Sequence, residues 1–120
     1  MSVDSFEDLV VWQRSRELCV QVYRTTGAGP FGRDFGLRDQ IRRASVSVMS
    51  NIAEGFGRYS RAEMRHFLAI ARGSVFEVQS QVYLACDLGY LNAAEAEKLH
   101  ALCREVARML AGLRASLGKP

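Results

Sequence analysis

The 120-residue sequence predicts an all-α fold, an antiparallel up-and-down four-helix bundle. Three observations carry this. Apolar residues recur at three- and four-residue steps over long stretches. Only two prolines, Pro30 and Pro120, occur in the chain, so long helices are permitted. Glycines and capping triplets separate the stretches by short loops, which favours antiparallel neighbours. The expected helices span about 5–27, 35–56, 60–88 and 92–117, in a single domain over 1–120.

The first helix is expected to start at Ser5, where Ser5-Phe6-Glu7-Asp8 resembles a capping box. Leu9, Trp12, Arg16, Cys19 and Tyr23 mark one face, and Val11, Leu18 and Val22 a second. So wide an apolar arc implies more than one neighbour, and Trp12 fits either a core anchor or an interface anchor. Gly27, Gly29 and Pro30 end the helix, and Phe31–Gly36 is expected to be a loop in which Asp34 caps the second helix.

The second helix carries the stripe Ile41, Ala44, Val48 and Ile52, and Gly55-Phe56-Gly57 reads as the turn that ends it. Ser60-Arg61-Ala62-Glu63 reads as a full capping box and is the strongest local signal in the chain. The third helix follows, with Met64, Phe67, Leu68, Ala71, Val75, Val78, Val82, Ala85 and Leu88 as its stripe. Gly73 in its middle costs about 1 kcal/mol against alanine, which suggests a neighbour's backbone close by. Gly89 is the expected C-cap, with Leu91 folding back. Asn92-Ala93-Ala94-Glu95 caps the fourth helix, whose stripe is Leu99, Leu102, Val106, Met109, Leu113 and Leu117.

Composition narrows the functional classes. With 48% hydrophobic and 24% charged residues the chain is globular, not disordered. The acidic start MSVDSFEDL has no apolar core, so a secretory signal is not expected, and no apolar run reaches the ~20 residues of a membrane span. Three widely spaced cysteines, Cys19, Cys86 and Cys103, read as reduced core thiols, so a cytoplasmic location is expected. The net charge of +3 is unevenly placed. Residues 33–73 hold eight arginines against Asp34, Asp39, Glu54 and Glu63, while the segments on either side are near neutral. That pattern points to a polyanion partner or to buried ion pairs, with a solvated, locally paired face as the bland alternative.

Catalytic and metal motifs are weak. Glu63/His66 and Glu97/His100 match the Glu-x-x-His pairs of di-iron bundles, but they begin consecutive antiparallel helices. The two pairs would lie on the order of 20–25 Å apart along the bundle axis, so neither metal nor cofactor is expected. Arg61 and His66 resemble the R-x4-H pattern of the HEPN superfamily of helical ribonucleases, with histidine as acid/base and arginine on the phosphate.

Pairing the second and third helices about a turn centred near Tyr59 sets Asn51 level with Phe67 and Ala44 level with Ser74. Glu77 would then meet Arg42 or Arg43 in an ion pair. Ser47, Asn51, Glu54 and Arg58 form a polar stripe suited to assembly.

These residues also carry a resemblance. Phe6-Glu7-Asp8-Leu9-x-Val11-Trp12, Phe35-Gly36-Leu37-x-x-Gln40-Ile41-Arg42-Arg43-Ala44, Ser50-Asn51-Ile52-Ala53-Glu54-Gly55, Ala71-x-Gly73-Ser74-x-x-Glu77 and Leu88-Gly89-Tyr90-Leu91 are similar to the four-helix bundle family of 23S rRNA intervening-sequence proteins. The resemblance covers nearly the whole chain and departs from the common pattern at Gly29–Arg33, where a shorter loop often stands. It implies a homopentamer. It also implies similarity to the accessory protein of diversity-generating retroelements, a basic pentameric bundle that binds nucleic acid and a reverse transcriptase.

The resulting expectation is a non-enzymatic, homo-oligomeric binder of structured RNA or DNA. Arg38, Arg42, Arg43, Arg58, Arg61 and Arg65 would meet phosphates, while Trp12, Asn51, Glu54, Gly73, Ser74 and Glu77 would serve structure and assembly. The alternatives are a protein-interaction scaffold and a ribonuclease using Arg61 and His66.

Overall fold

A computed structural model describes residues 4–118, which form an all-α bundle of 44 × 23 × 19 Å. A short 3-10 turn at Phe6–Asp8 precedes α1 (Val10–Thr25), α2 (Gly29–Arg33), α3 (Phe35–Phe56), α4 (Arg61–Asp87) and α5 (Ala93–Ser116). The long helices α1, α3, α4 and α5 make the bundle. α3 and α4 pack together, α4 packs on α5, and α1 closes the ring against α3 and α5. One pole holds the start of α1, the α3–α4 turn and the end of α5; the opposite pole holds α2 and the α4–α5 turn.

The core follows the apolar stripes. Leu18, Val22, Ile41, Val48, Ile52, Leu68, Val75, Val78, Val82, Val106 and Leu110 are wholly enclosed. Burial of this kind supplies the main driving force for the fold. Trp12 is half-buried and packs against the core, with Phe6 edge-on at 5.0 Å. Of the two roles its sequence context left open, the packing within the chain is the core anchor.

Three boundaries differ from the sequence expectation. The first α-helix begins at Val10, after the 3-10 turn, and Ser5 caps nothing through its side chain. The stretch expected as a loop at Phe31–Gly36 holds most of a short helix, Gly29–Arg33. Its entry uses Gly29 at φ +68°, a left-handed conformation that side chains resist. Phe31 is the reason the turn coils: it is buried and lies 5.3 Å from the Tyr90 ring. Gly55 and Phe56 lie within α3, and Gly57 is its cap.

The expected caps at Asp34, Ser60 and Asn92 are present, accepting from the amides of Leu37, Glu63 and Glu95. Only Asn92–Glu95 is a reciprocal box; the Ser60 cap is the one-way bond from Glu63. α4 ends in a Schellman turn around Gly89 (φ +78°), with Tyr90 N–H bonded to Ala85 O and Gly89 N–H to Cys86 O. Leu91 folds back into the core as expected.

The close helix contact is at Gly55, not at Gly73. A Cβ on Gly73 would meet open space, whereas one on Gly55 would lie 2.9 Å from Phe67 Cβ. That approach sets the α3/α4 register about one turn away from the expected pairing. Ser74 meets Ser47 instead of Ala44, and Gln81 reaches Gln40.

Candidate nucleic-acid interface

The arginines of α3 and early α4 are long side chains on a helix pair whose inner faces are apolar, so each finds an outlet at an edge or a pole. Arg38 turns back to α2, donating to Gly32 O (3.1 Å) and Asp39 Oδ1 (2.9 Å) while covering the Phe35 ring. Arg42 crosses to α1, where Nε donates to Thr26 Oγ1 at 2.8 Å and Nη2 to Tyr23 O at 3.4 Å. Its guanidinium also lies 4.4 Å from the Tyr23 ring centroid. Arg42 thus serves the last turn of α1, where orphan carbonyls and the helix dipole favour a cation.

Arg58 pairs with Glu54 at 2.6 Å and sits over Phe67. Arg65 donates to Arg114 O at 2.7 Å and to Gly118 O, tying the end of α5 to α4, and Arg114 Nε returns a bond to Arg65 O. Arg43 and Arg61 are exposed and make no ion pair with a described residue.

The expected ion pair from Glu77 to Arg42 or Arg43 is absent among the described residues. With the shifted register Glu77 lies level with Ala44, and Arg42 points to α1. Arg43 and Glu77 instead face a shared groove of about 330 Å³, lined also by Gln40, Ala44, Ser47 and Ser74. Its floor is the Ser47–Ser74 hydroxyl pair at 2.9 Å, and Asn51 Nδ2 donates to Ser47 O and Oγ at 2.8 and 3.0 Å. The polar stripe of α3 therefore satisfies itself along the α4 edge.

His66 is exposed and lies edge-on to Phe67, 5.6 Å between ring centroids. At five residues' separation it leaves α4 about 140° around the axis from Arg61, so one chain does not bring the two side chains to a common point. The two Glu-x-x-His pairs sit at opposite poles, and His100 is buried against Tyr83, 4.4 Å between centroids. No group of three metal-ligating side chains occurs among the described residues.

Sequence reasoning missed two sets of residues. The first is the fork between Arg14 and Glu105 at 2.9 and 2.8 Å, which joins α1 to α5 and lies 91 residues apart in the chain. The second is the outer α4/α5 face, which carries Arg72, Phe76 and Tyr83 from α4 and His100 and Arg104 from α5, with Arg108 one turn further on. The near-zero net charge of the C-terminal segment concealed it, because Glu105 is engaged by Arg14 of α1 while Arg104 lies beside His100 and Glu97. Arg108 stands between the two edges, near enough to Glu105 to hold its carboxyl down. A helical projection anchored on His100 would have separated the two edges.

Fold and surface define a helical-bundle protein with solvent-facing arginines on several edges. The model of the family described as 23S rRNA-intervening sequence protein matches residues 7–112, and the chain belongs to that family. Among solved structures, a protein of unknown function from the S23 ribosomal protein family of Bacteroides thetaiotaomicron superposes with a TM-score of 0.81 at 24% identity. The match covers 88% of this chain and 98% of that one, and it carries the fold. No curated protein matches significantly. No helix among the described residues is long and apolar enough to cross a membrane.

Proposed function

We propose that this chain is a non-enzymatic, homo-oligomeric bundle, pentameric as the family resemblance implies, that binds RNA or DNA through its arginines. One observation carries this reading. Of the eight arginines in residues 33–73, only Arg38 and Arg58 pair with a carboxylate among the described residues. The basic excess is thus left largely uncompensated, which is the arrangement a polyanion recruits and a self-neutralised surface lacks. The six expected contacts divide. Arg43 and Arg61 are open for phosphate, Arg58 is available by exchange of an exposed pair, and Arg38, Arg42 and Arg65 mainly hold the bundle together.

Few open arginines per subunit make assembly part of the mechanism, because repetition around a ring multiplies weak phosphate contacts. Val20, Tyr23 and Val46 are exposed along α1 and α3 beside half-buried Trp12, an apolar edge suited to a second copy. The test is light scattering combined with fluorescence anisotropy of labelled RNA over a salt series. An oligomeric mass is expected, with affinity falling steeply as salt rises. Absence of binding at low salt, or binding indifferent to salt, defeats the reading.

A further inference from the structure

The antiparallel register of α4 and α5 is fixed at two points, the Tyr83–His100 ring contact and the bonds between Arg65 and Arg114. Interpolated between them, Phe76 lies level with about residues 105–106 of α5, and Arg72 with about residues 108–109. Arg104 and Arg108 follow His100 by one and two turns on the same edge. The face so formed alternates charge and ring: Arg72, Phe76 and Tyr83 on α4, beside Arg104 and Arg108 on α5.

Tyr83 is 65% exposed and Phe76 46% exposed, unusual openness for aromatic side chains in a bundle. Each ring has one side supported, Phe76 by the Arg72 guanidinium 4.9 Å from its centroid and Tyr83 by the His100 imidazole. Arg72 Nε and His100 Nδ1, both on this face, are buried without a hydrogen-bond partner among the described residues. Glu97 is the acidic residue paired here, to an Arg104 that is 56% exposed, and a surface pair of this kind exchanges readily.

We propose that this α4/α5 face is a track for an unpaired nucleic-acid strand. Bases stack on Phe76 and Tyr83, and the phosphates lie along Arg72, Arg104 and Arg108. The inference rests on the nucleic-acid reading above and names its form. A duplex keeps its bases stacked inside and offers this face phosphates alone, whereas an unpaired strand presents a base to each ring. The two rings stand seven residues apart on one helix, about 10.5 Å along its axis. That leaves room for a backbone bridged by arginine between two stacked bases.

The experiment uses the full chain with fluorescein-labelled oligo(U), oligo(T) and a duplex RNA of equal length. Phe76→Ala and Tyr83→Ala should each weaken oligo(U) binding about tenfold and leave duplex binding unchanged. Tyr83→Phe, which keeps the ring, should bind as wild type. Equal oligo(T) and oligo(U) affinities indicate backbone and stacking alone, and tighter oligo(U) binding adds a contact to the ribose hydroxyl; either outcome supports the track. The exposed double variant Arg104→Glu/Arg108→Glu should lower affinity and flatten the salt dependence while keeping wild-type helicity and mass. If the alanine variants bind oligo(U) like wild type, nucleic-acid binding stands and the track is wrong. If wild type binds none of the three probes, the track and the underlying reading fall together.

Discussion

Gly55 and Phe67 mark a close approach of α3 to α4 that leaves no room for a side chain at position 55. A Cβ built on Gly55 would stand 2.9 Å from Phe67 Cβ and 3.4 Å from Met64 O, so the second contact is with backbone that cannot swing away. Arg58 then folds over the same Phe67 ring, 4.8 Å from its centroid. The turn, the register and one arginine are therefore set by the absence of a single side chain.

Gly55→Ala is expected to destabilise the protein. Helix propensity favours alanine by about 1 kcal/mol, but overpacking at a fixed backbone costs about 1–3 kcal/mol, so the net effect is a loss. Gly73→Ala, facing open space, should gain up to about 1 kcal/mol. Urea denaturation of the two variants checks the contrast. A loss in Gly73→Ala would mean that another subunit covers that face of α4.

The helices were legible in the sequence because caps and stripes are local. Asp34, Ser60 and Asn92 announce helix starts by chemistry that needs only three following residues. The register of α3 on α4 was not legible, because Gly55 has two sequence meanings, helix breaker and close-contact residue, and only the neighbouring Phe67 decides between them. The short helix α2 depends in the same way on Phe31 meeting Tyr90, 59 positions further on. The arginines were the least legible. A guanidinium reaches any of several helix edges, and Arg65 could be read as a phosphate contact until the end of α5 arrived beside it.

Stability is expected to fall in two stages on acidification. Burial holds His100 below its ordinary value of 6.5, so the unfolded chain takes up that proton first. Stability is complete above about 6.5 and declines as pH drops toward the folded value. The Arg14 fork holds Glu105 below the ordinary 4.5, so its contribution is present above that value and is lost as pH falls further. Glu97 and Arg104 flank His100 with opposite effects on it. Thermal melts from pH 8 to pH 3 should show the first stage removed in His100→Gln and the second reduced in Glu105→Gln. An unaltered profile in either variant contradicts the corresponding assignment.

The thiols should differ in reactivity. Burial pushes Cys103 up to about 12, Cys19 is enclosed against Ser45, and Cys86 is half-buried near the α4–α5 turn. The thiolate is the reactive form, so a disulfide reagent at pH 8 should titrate Cys86 first, and all three cysteines should react only in denaturant. Rapid reaction of Cys103 in the native protein would show that the core opens far more often than its packing implies.

Adjacent arginines should separate folding from binding. Arg42 donates to Thr26 Oγ1 at 2.8 Å and stacks on Tyr23, whereas Arg43 projects from the next position into the open groove beside Glu77. Arg42→Ala removes a partly buried charged hydrogen bond and should cost about 1.5–3 kcal/mol of stability. In a double-mutant cycle with Thr26→Val the two changes should prove non-additive, since Thr26 Oγ1 also donates to Val22 O and links both to the end of α1. Arg43→Ala should leave denaturation unchanged and reduce RNA affinity and its salt slope. The opposite pattern, with Arg43→Ala unstable and Arg42→Ala defective only in binding, would mean that the assembled protein turns these two helix edges the other way. Additive costs for Arg42 and Thr26 would mean that the hydrogen bond contributes nothing beyond its separate parts.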